Sequence, residues 1–114
     1  MMYTRTNDLY KIARSTGNQS NLLGVSFAEN SDSEKTPETI TWDLKNGESI
    51  RTSAAEVLSQ VISGLKLVNQ TLVKNYQLSK IYYVPEDSPK DSVYEFLIIK
   101  LIKHYHSDRK FKEV

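Results

Sequence analysis

Residues 53–84 carry, in unbroken succession, a long amphipathic stretch, a short polar turn and a run of apolar residues. Ser53, followed three residues later by Glu56, is a capping box, in which each residue's side chain satisfies the other's orphan backbone N–H. Apolar side chains recur at Ala54, Leu58, Val61, Ile62, Leu65, Val68, Leu72 and Val73, while Gln60, Ser63, Lys66, Asn69, Gln70 and Lys74 fill the other side. That is the period of a helix of about five turns, with Gly64 marking a close approach and Asn75 serving as the left-handed stop. Residues 78–84 leave both faces apolar, which predicts a strand buried on both sides in mid-sheet. A strand reached through a long crossover helix runs parallel to its predecessor.

The chain upstream has to supply the rest of that sheet. In residues 22–29 Leu23, Val25 and Phe27 alternate with Gly24, Ser26 and Ala28, the period of a strand with one small-residue face. Residues 30–37 are turn formers and charges and read as a loop. Residues 39–44 alternate again, with Ile40, Trp42 and Leu44 on one face, and Asn46-Gly47 is a hairpin signal. A three-residue turn keeps Leu44 opposite Ile50 and predicts a short third strand over 49–52. Residues 1–20 predict one or two turns of helix capped by Asn7, with a flexible arm as the alternative. Downstream, Ser88-Pro89 and Asp91 signal a second helix, with a stripe of Tyr94, Leu97, Ile98, Leu101, Ile102 and Tyr105, widened by Phe96 and Ile99. Residues 107–114 are charged and read as a frayed tail. The expectation is one α+β domain over 1–114, a small mixed sheet in the order β-β-β-α-β-α with two long amphipathic helices.

Composition narrows the function classes. Zero cysteines exclude a disulfide framework and thiolate metal sites. No apolar run is long enough for a membrane span, and the start lacks the apolar segment of a signal peptide, so the expectation is a soluble cytoplasmic protein. Fifteen Lys/Arg against fourteen Asp/Glu give a net charge of +1, which argues against a strongly basic nucleic-acid binder. The charges are uneven: residues 21–50 hold two basic and six acidic side chains, residues 51–80 four basic and one acidic.

Asn30, Asp32 and Glu34 alternate as in a calcium loop, but Lys35 and Thr41 stand where glycine and glutamate are needed. His104 and His106, two apart on a helix, cannot grip one ion together, and His104 suits the negative end of a helix dipole. No metal or cofactor is expected. Lys100, Lys103, Arg109 and Lys110, interleaved with Tyr105 and Phe111, are candidate phosphate contacts.

Three antiparallel strands, a helix, a strand and a helix resemble in outline the first part of the ribonuclease H-like fold. That family holds metal with acids on the first strand, early in the first helix and at the end of the fourth strand. The resemblance implies Glu56 for the second place and Glu86 or Asp87 for the third; the first strand offers Ser26 centrally and Glu29 only at its end. No complete catalytic set is present, and the expectation leans away from an enzyme.

Tyr94, Phe96, Ile99, Ile102 and Lys103 form the candidate interaction face, since aromatic residues concentrate where proteins meet. The leading expectation is a non-enzymatic protein-interaction module. It would bind a protein partner, or itself as a homodimer, through the apolar face of the C-terminal helix or a sheet edge. The alternative is a nucleic-acid-associated protein with a degenerate ribonuclease H-like site.

Overall fold

The computed structural model describes residues 1–16, 19–28, 37–41, 53–84 and 92–114. The chain opens on a hairpin. β1 (Met2–Thr6) pairs antiparallel with β2 (Leu9–Thr16), with Tyr3 opposite Ile12 and Thr6 opposite Leu9. Asn7 turns the chain at φ 54, a left-handed conformation that asparagine tolerates well. This replaces the expected N-terminal helix or arm. Leu9, Tyr10, Ile12 and Ala13 look helical when grouped, but Tyr10, Ile12 and Arg14 share one strand face and Leu9, Lys11 and Ala13 the other, as the register shows.

β2 pairs antiparallel with β3 (Gln19–Phe27), and β3 with β5 (Leu78–Tyr83). β4 (Glu38–Thr41) lies outside β5 and parallel to it, and β6 (Lys112–Glu113) lies parallel to β1 at the other edge. Among the described residues the sheet therefore runs β4-β5-β3-β2-β1-β6. β5 occupies an inner position, parallel to its described predecessor as expected. It is not buried on both faces: Leu78, Ile81 and Tyr83 are inside while Ser79 and Lys80 are exposed. The Asn46-Gly47 turn, the strand expected over 49–52, Trp42, Leu44 and the calcium-like loop up to residue 36 lie outside the described residues.

Both helices pack on one face of the sheet, giving the α+β class. α1 (Ala54–Leu72) starts at Ser53, whose Oγ accepts the Glu56 N–H at 3.2 Å. It turns Val57, Val61, Leu65 and Val68 inward onto Ile12, Leu23, Val25, Ile81 and Tyr83. Ile62, expected in the stripe, is exposed, and Val57 takes its place in the core. α1 ends at Val73 rather than Asn75; Val73 adopts φ 53, ψ 50.

α2 (Val93–His106) runs beside α1 in the same sense, with Gln60 next to Tyr94 and Gly64 next to Glu95 and Ile98. Its cap is Ser92; the start expected at Ser88 lies outside the described residues. Gln60 Oε1 accepts the Tyr94 N–H at 2.9 Å, satisfying one of the donors a helix start leaves open. Because the helices run in the same sense, their C-termini meet at one end of the molecule. Among the described residues, no helix is long and apolar enough to cross a membrane.

The expected frayed tail is docked. Phe111 packs against the core, the Val114 N–H donates to the Arg5 carbonyl at 3.0 Å and Thr6 Oγ1 donates to the Val114 carbonyl at 3.2 Å. The aromatic ring gives the charged tail apolar area to bury, which composition alone understated. The outline resemblance to the ribonuclease H-like fold also weakens. Two further strands precede the one carrying Ser26, so that strand is the third of the described sheet, between β2 and β5.

Candidate functional site

The end of the molecule where both helices terminate gathers most of the unusual chemistry. In the last turn of α2, the His104 ring stacks on Tyr3 of β1 with centroids 3.7 Å apart and planes within 4°. His104 Nε2 lies 2.9 Å from the Lys110 carbonyl. A carbonyl only accepts, so Nε2 carries the proton of that bond. Lys100 and Lys103, on successive turns of α2, join Arg109 around this stack to form a groove of about 240 Å³.

A larger cleft of about 810 Å³ adjoins it and shares Arg109. Its apolar wall is an aromatic cluster centred on Tyr10, which meets Phe27 at 5.4 Å, Tyr105 at 5.2 Å and Phe111 at 5.0 Å, all edge to face. The Arg5 guanidinium lies 5.0 Å from the Tyr10 ring centre, a cation–π contact. Tyr76 is delivered by the turn after α1. Asn69 Nδ2 donates to the Tyr76 carbonyl at 3.0 Å, and Asn69 Oδ1 accepts the Tyr76 N–H at 2.9 Å. The Tyr76 hydroxyl in turn lies 2.9 Å from His106 Nδ1. Burial, and secondarily Tyr105 beside it, pushes the Tyr76 hydroxyl above its usual pKa of 10.0.

Charge is concentrated here. The two clefts are lined by five Lys/Arg (Arg5, Lys100, Lys103, Arg109, Lys110) and two Asp/Glu (Asp108, Glu113), a net +3. The other described residues hold six Lys/Arg and four Asp/Glu, a net +2. Two helix C-termini place roughly one unit of negative partial charge nearby, which the cations exceed. A third cleft, of about 820 Å³, runs along the end of α1 between Ile62, Lys66 and Val73, and is mostly apolar.

The expected interaction face divides. Tyr94 and Ile102 are fully buried in the core, so they offer no surface. Phe96 is 38% exposed, with Lys100 Nζ and Arg14 Cζ each 5.6 Å from its ring centre. Ile99 is half-buried against the core and Lys103 is exposed. Lys103 thus joins Lys100 and Arg109 in the basic groove, while Lys110 faces the aromatic cleft.

Of the acids implied by the ribonuclease H-like resemblance, Glu56 is exposed in the first turn of α1, about 24 Å of helix from the basic end. Glu29, Glu86 and Asp87 lie outside the described residues. Among the described residues no three His, Asp or Glu side chains converge as a metal site would need.

Tyr3, Arg5, Tyr10 and Asn69 are the members of this end that sequence reading missed. A period-two reading would have put Tyr3 and Arg5 on one face of β1; the β1–β2 register, with Arg5 opposite Tyr10, is needed to bring Tyr10 to the same face, and nothing local signals their meeting with α2. No family model, curated protein or solved structure matches this chain. The functional reading therefore rests on the geometry of this end.

Proposed function

We propose that this protein associates with nucleic acid through the basic end of α2. The observation that carries the reading is the gathering of cations at one end: Lys100, Lys103 and Arg109 around one groove, with Arg5 and Lys110 in the cleft beside it against Asp108 and Glu113. Phosphate chains are bound chiefly by such side chains, with release of counterions.

The test is binding of a labelled oligonucleotide across a salt series. The expected log–log slope is a few units, about 0.7 to 0.9 per phosphate neutralised. Lys103→Ala and Arg109→Ala should each weaken binding several-fold and reduce the slope by about one. Affinity insensitive to salt and to both substitutions would remove the proposal.

A second reading, a protein partner or a second copy, draws on the other face of the sheet. Leu22, Ile40 and Tyr82 point away from the helices and are only partly buried, and among the described residues β4 is an outer strand. The free N–H and C=O groups of an outer strand can pair with another chain. Sedimentation across a concentration series decides it: a fixed monomer mass at every concentration counts against self-association.

A further inference from the structure

Resting on that reading, we infer that the ligand is a single strand rather than a duplex, held by base stacking as well as by its phosphates. The cations of this end do not form a plain basic patch; they alternate with aromatic rings. Phe96 stands exposed, with Arg14 and Lys100 each 5.6 Å from its ring centre. Lys103 and Arg109 follow around the Tyr3–His104 stack. Beyond Arg109 comes the aromatic cleft, where Arg5 lies over Tyr10 beside Tyr105 and Phe111.

A duplex presents only phosphates and groove edges, and its bases are stacked on one another. A single strand offers free base faces, which aromatic rings and guanidinium planes take up without regard to sequence. The cleft, at about 810 Å³, falls in the size range of small-molecule sites and has room for a base. The strand's backbone runs over Lys100, Lys103 and Arg109, with one base against Phe96 and another in the cleft beneath Arg5.

The experiment compares four labelled or competing probes at low salt: a mixed-sequence single strand, an abasic sugar–phosphate strand of equal length, the corresponding duplex, and a free mononucleotide. The single strand is expected to bind about tenfold or more tightly than the abasic strand and the duplex, with the mononucleotide competing only weakly. Phe96→Ala and Arg5→Ser should each reduce single-strand binding about tenfold, the loss of roughly one stacked base. Phe96→Ala should leave abasic-strand binding nearly unchanged. Arg5→Ser, which also removes a cation of the cleft, should weaken it less than it weakens single-strand binding, and circular dichroism should report an intact fold.

Equal binding of the abasic strand, or preference for the duplex, overturns the stacking inference while leaving nucleic-acid association in place. Competition by the mononucleotide at the strand's own concentration overturns the commitment to a strand in favour of a free nucleotide. No binding of any probe overturns this inference and the proposal it rests on.

Discussion

A methyl group added at Gly64 would lie 2.5 Å from Cγ2 of Ile98 and 2.6 Å from the carbonyl oxygen of Glu95. The first clash could be relieved by a rotamer change. The second is with the backbone of α2 and can be relieved only by moving the helices apart. Alanine would gain about 1 kcal/mol of helix propensity over glycine, but overpacking a core costs about 1–3 kcal/mol. Gly64→Ala is therefore expected to be destabilising on balance, seen as a lower urea midpoint at an unchanged slope.

Val73 presents the opposite case. A β-branched residue held at φ 53 is strained by about 1–2 kcal/mol, and at 87% exposure its side chain gains little from packing. Val73→Gly should raise stability by about 1 kcal/mol in the same assay. Tyr83 is buried, and burial pushes its hydroxyl above the usual pKa of 10.0. The folded state then holds that proton more tightly than the unfolded state does. Its contribution is fully present below about pH 10 and is lost as pH rises through the folded value. Tyr83→Phe should lose less stability than the parent between pH 9 and about pH 11, measured as denaturant midpoints at each pH.

Among the elements, β6 is held by the fewest backbone contacts. Two register pairs join it to β1, and the segment is held further by the Val114 N–H to the Arg5 carbonyl, Thr6 Oγ1 to the Val114 carbonyl, the Phe111 ring between Tyr3, Tyr10 and His104, and the bond from His104 Nε2 to Lys110. Phe111→Ala removes the ring that anchors the segment. The expected outcome is a loss of about 2–3 kcal/mol, with early amide exchange at Lys112 to Val114 while α1 and β3 remain protected. If those amides stay as protected as the core, the edge pairing is stronger than its two pairs suggest. The α1–β5 turn has a firmer clamp, because Asn69 meets both backbone groups of Tyr76. That clamp fixes Tyr76, and with it one wall of the aromatic cleft.

For the molecule as a whole, the feature to test is the gathering of cations at one end. Arg5, Lys100, Lys103, Arg109 and Lys110 line two adjoining clefts with only Asp108 and Glu113, a net +3, so the cations repel one another in the folded state. Added sodium chloride screens that repulsion within about 10 Å at 0.1 M and about 3 Å at 1 M. The melting midpoint should rise by a few degrees with salt while oligonucleotide binding falls. A midpoint that drops with salt would mean that attractive pairs outweigh the repulsion.

How much of this was legible before folding follows from the range of each force. The capped amphipathic α1, an inner strand after it, the stripe of α2 and the alternation of Leu23, Val25 and Phe27 are local patterns set by helix and strand periods, and they emerge, with Ile62 turned outward, α1 stopping at Val73 and β5 leaving Ser79 and Lys80 exposed. Lys100, Lys103, Arg109 and Lys110 were legible as a cluster because they are close in the chain. The N-terminal hairpin was not, because a few residues that alternate and contain Asn7 fit a helix start as well as a turn, and only pairing with β3 decides between them. Tyr94 and Ile102 were legible in the α2 stripe, but not their complete burial, which takes them out of the expected interaction face and depends on α1 packing against α2 at Gly64. The site itself was decided by tertiary structure alone. Tyr3, Arg5 and Tyr10 reach His104, Tyr105 and Phe111 from about a hundred residues away, and a contact of that span is fixed by burial of the whole sheet and not by any neighbour in sequence.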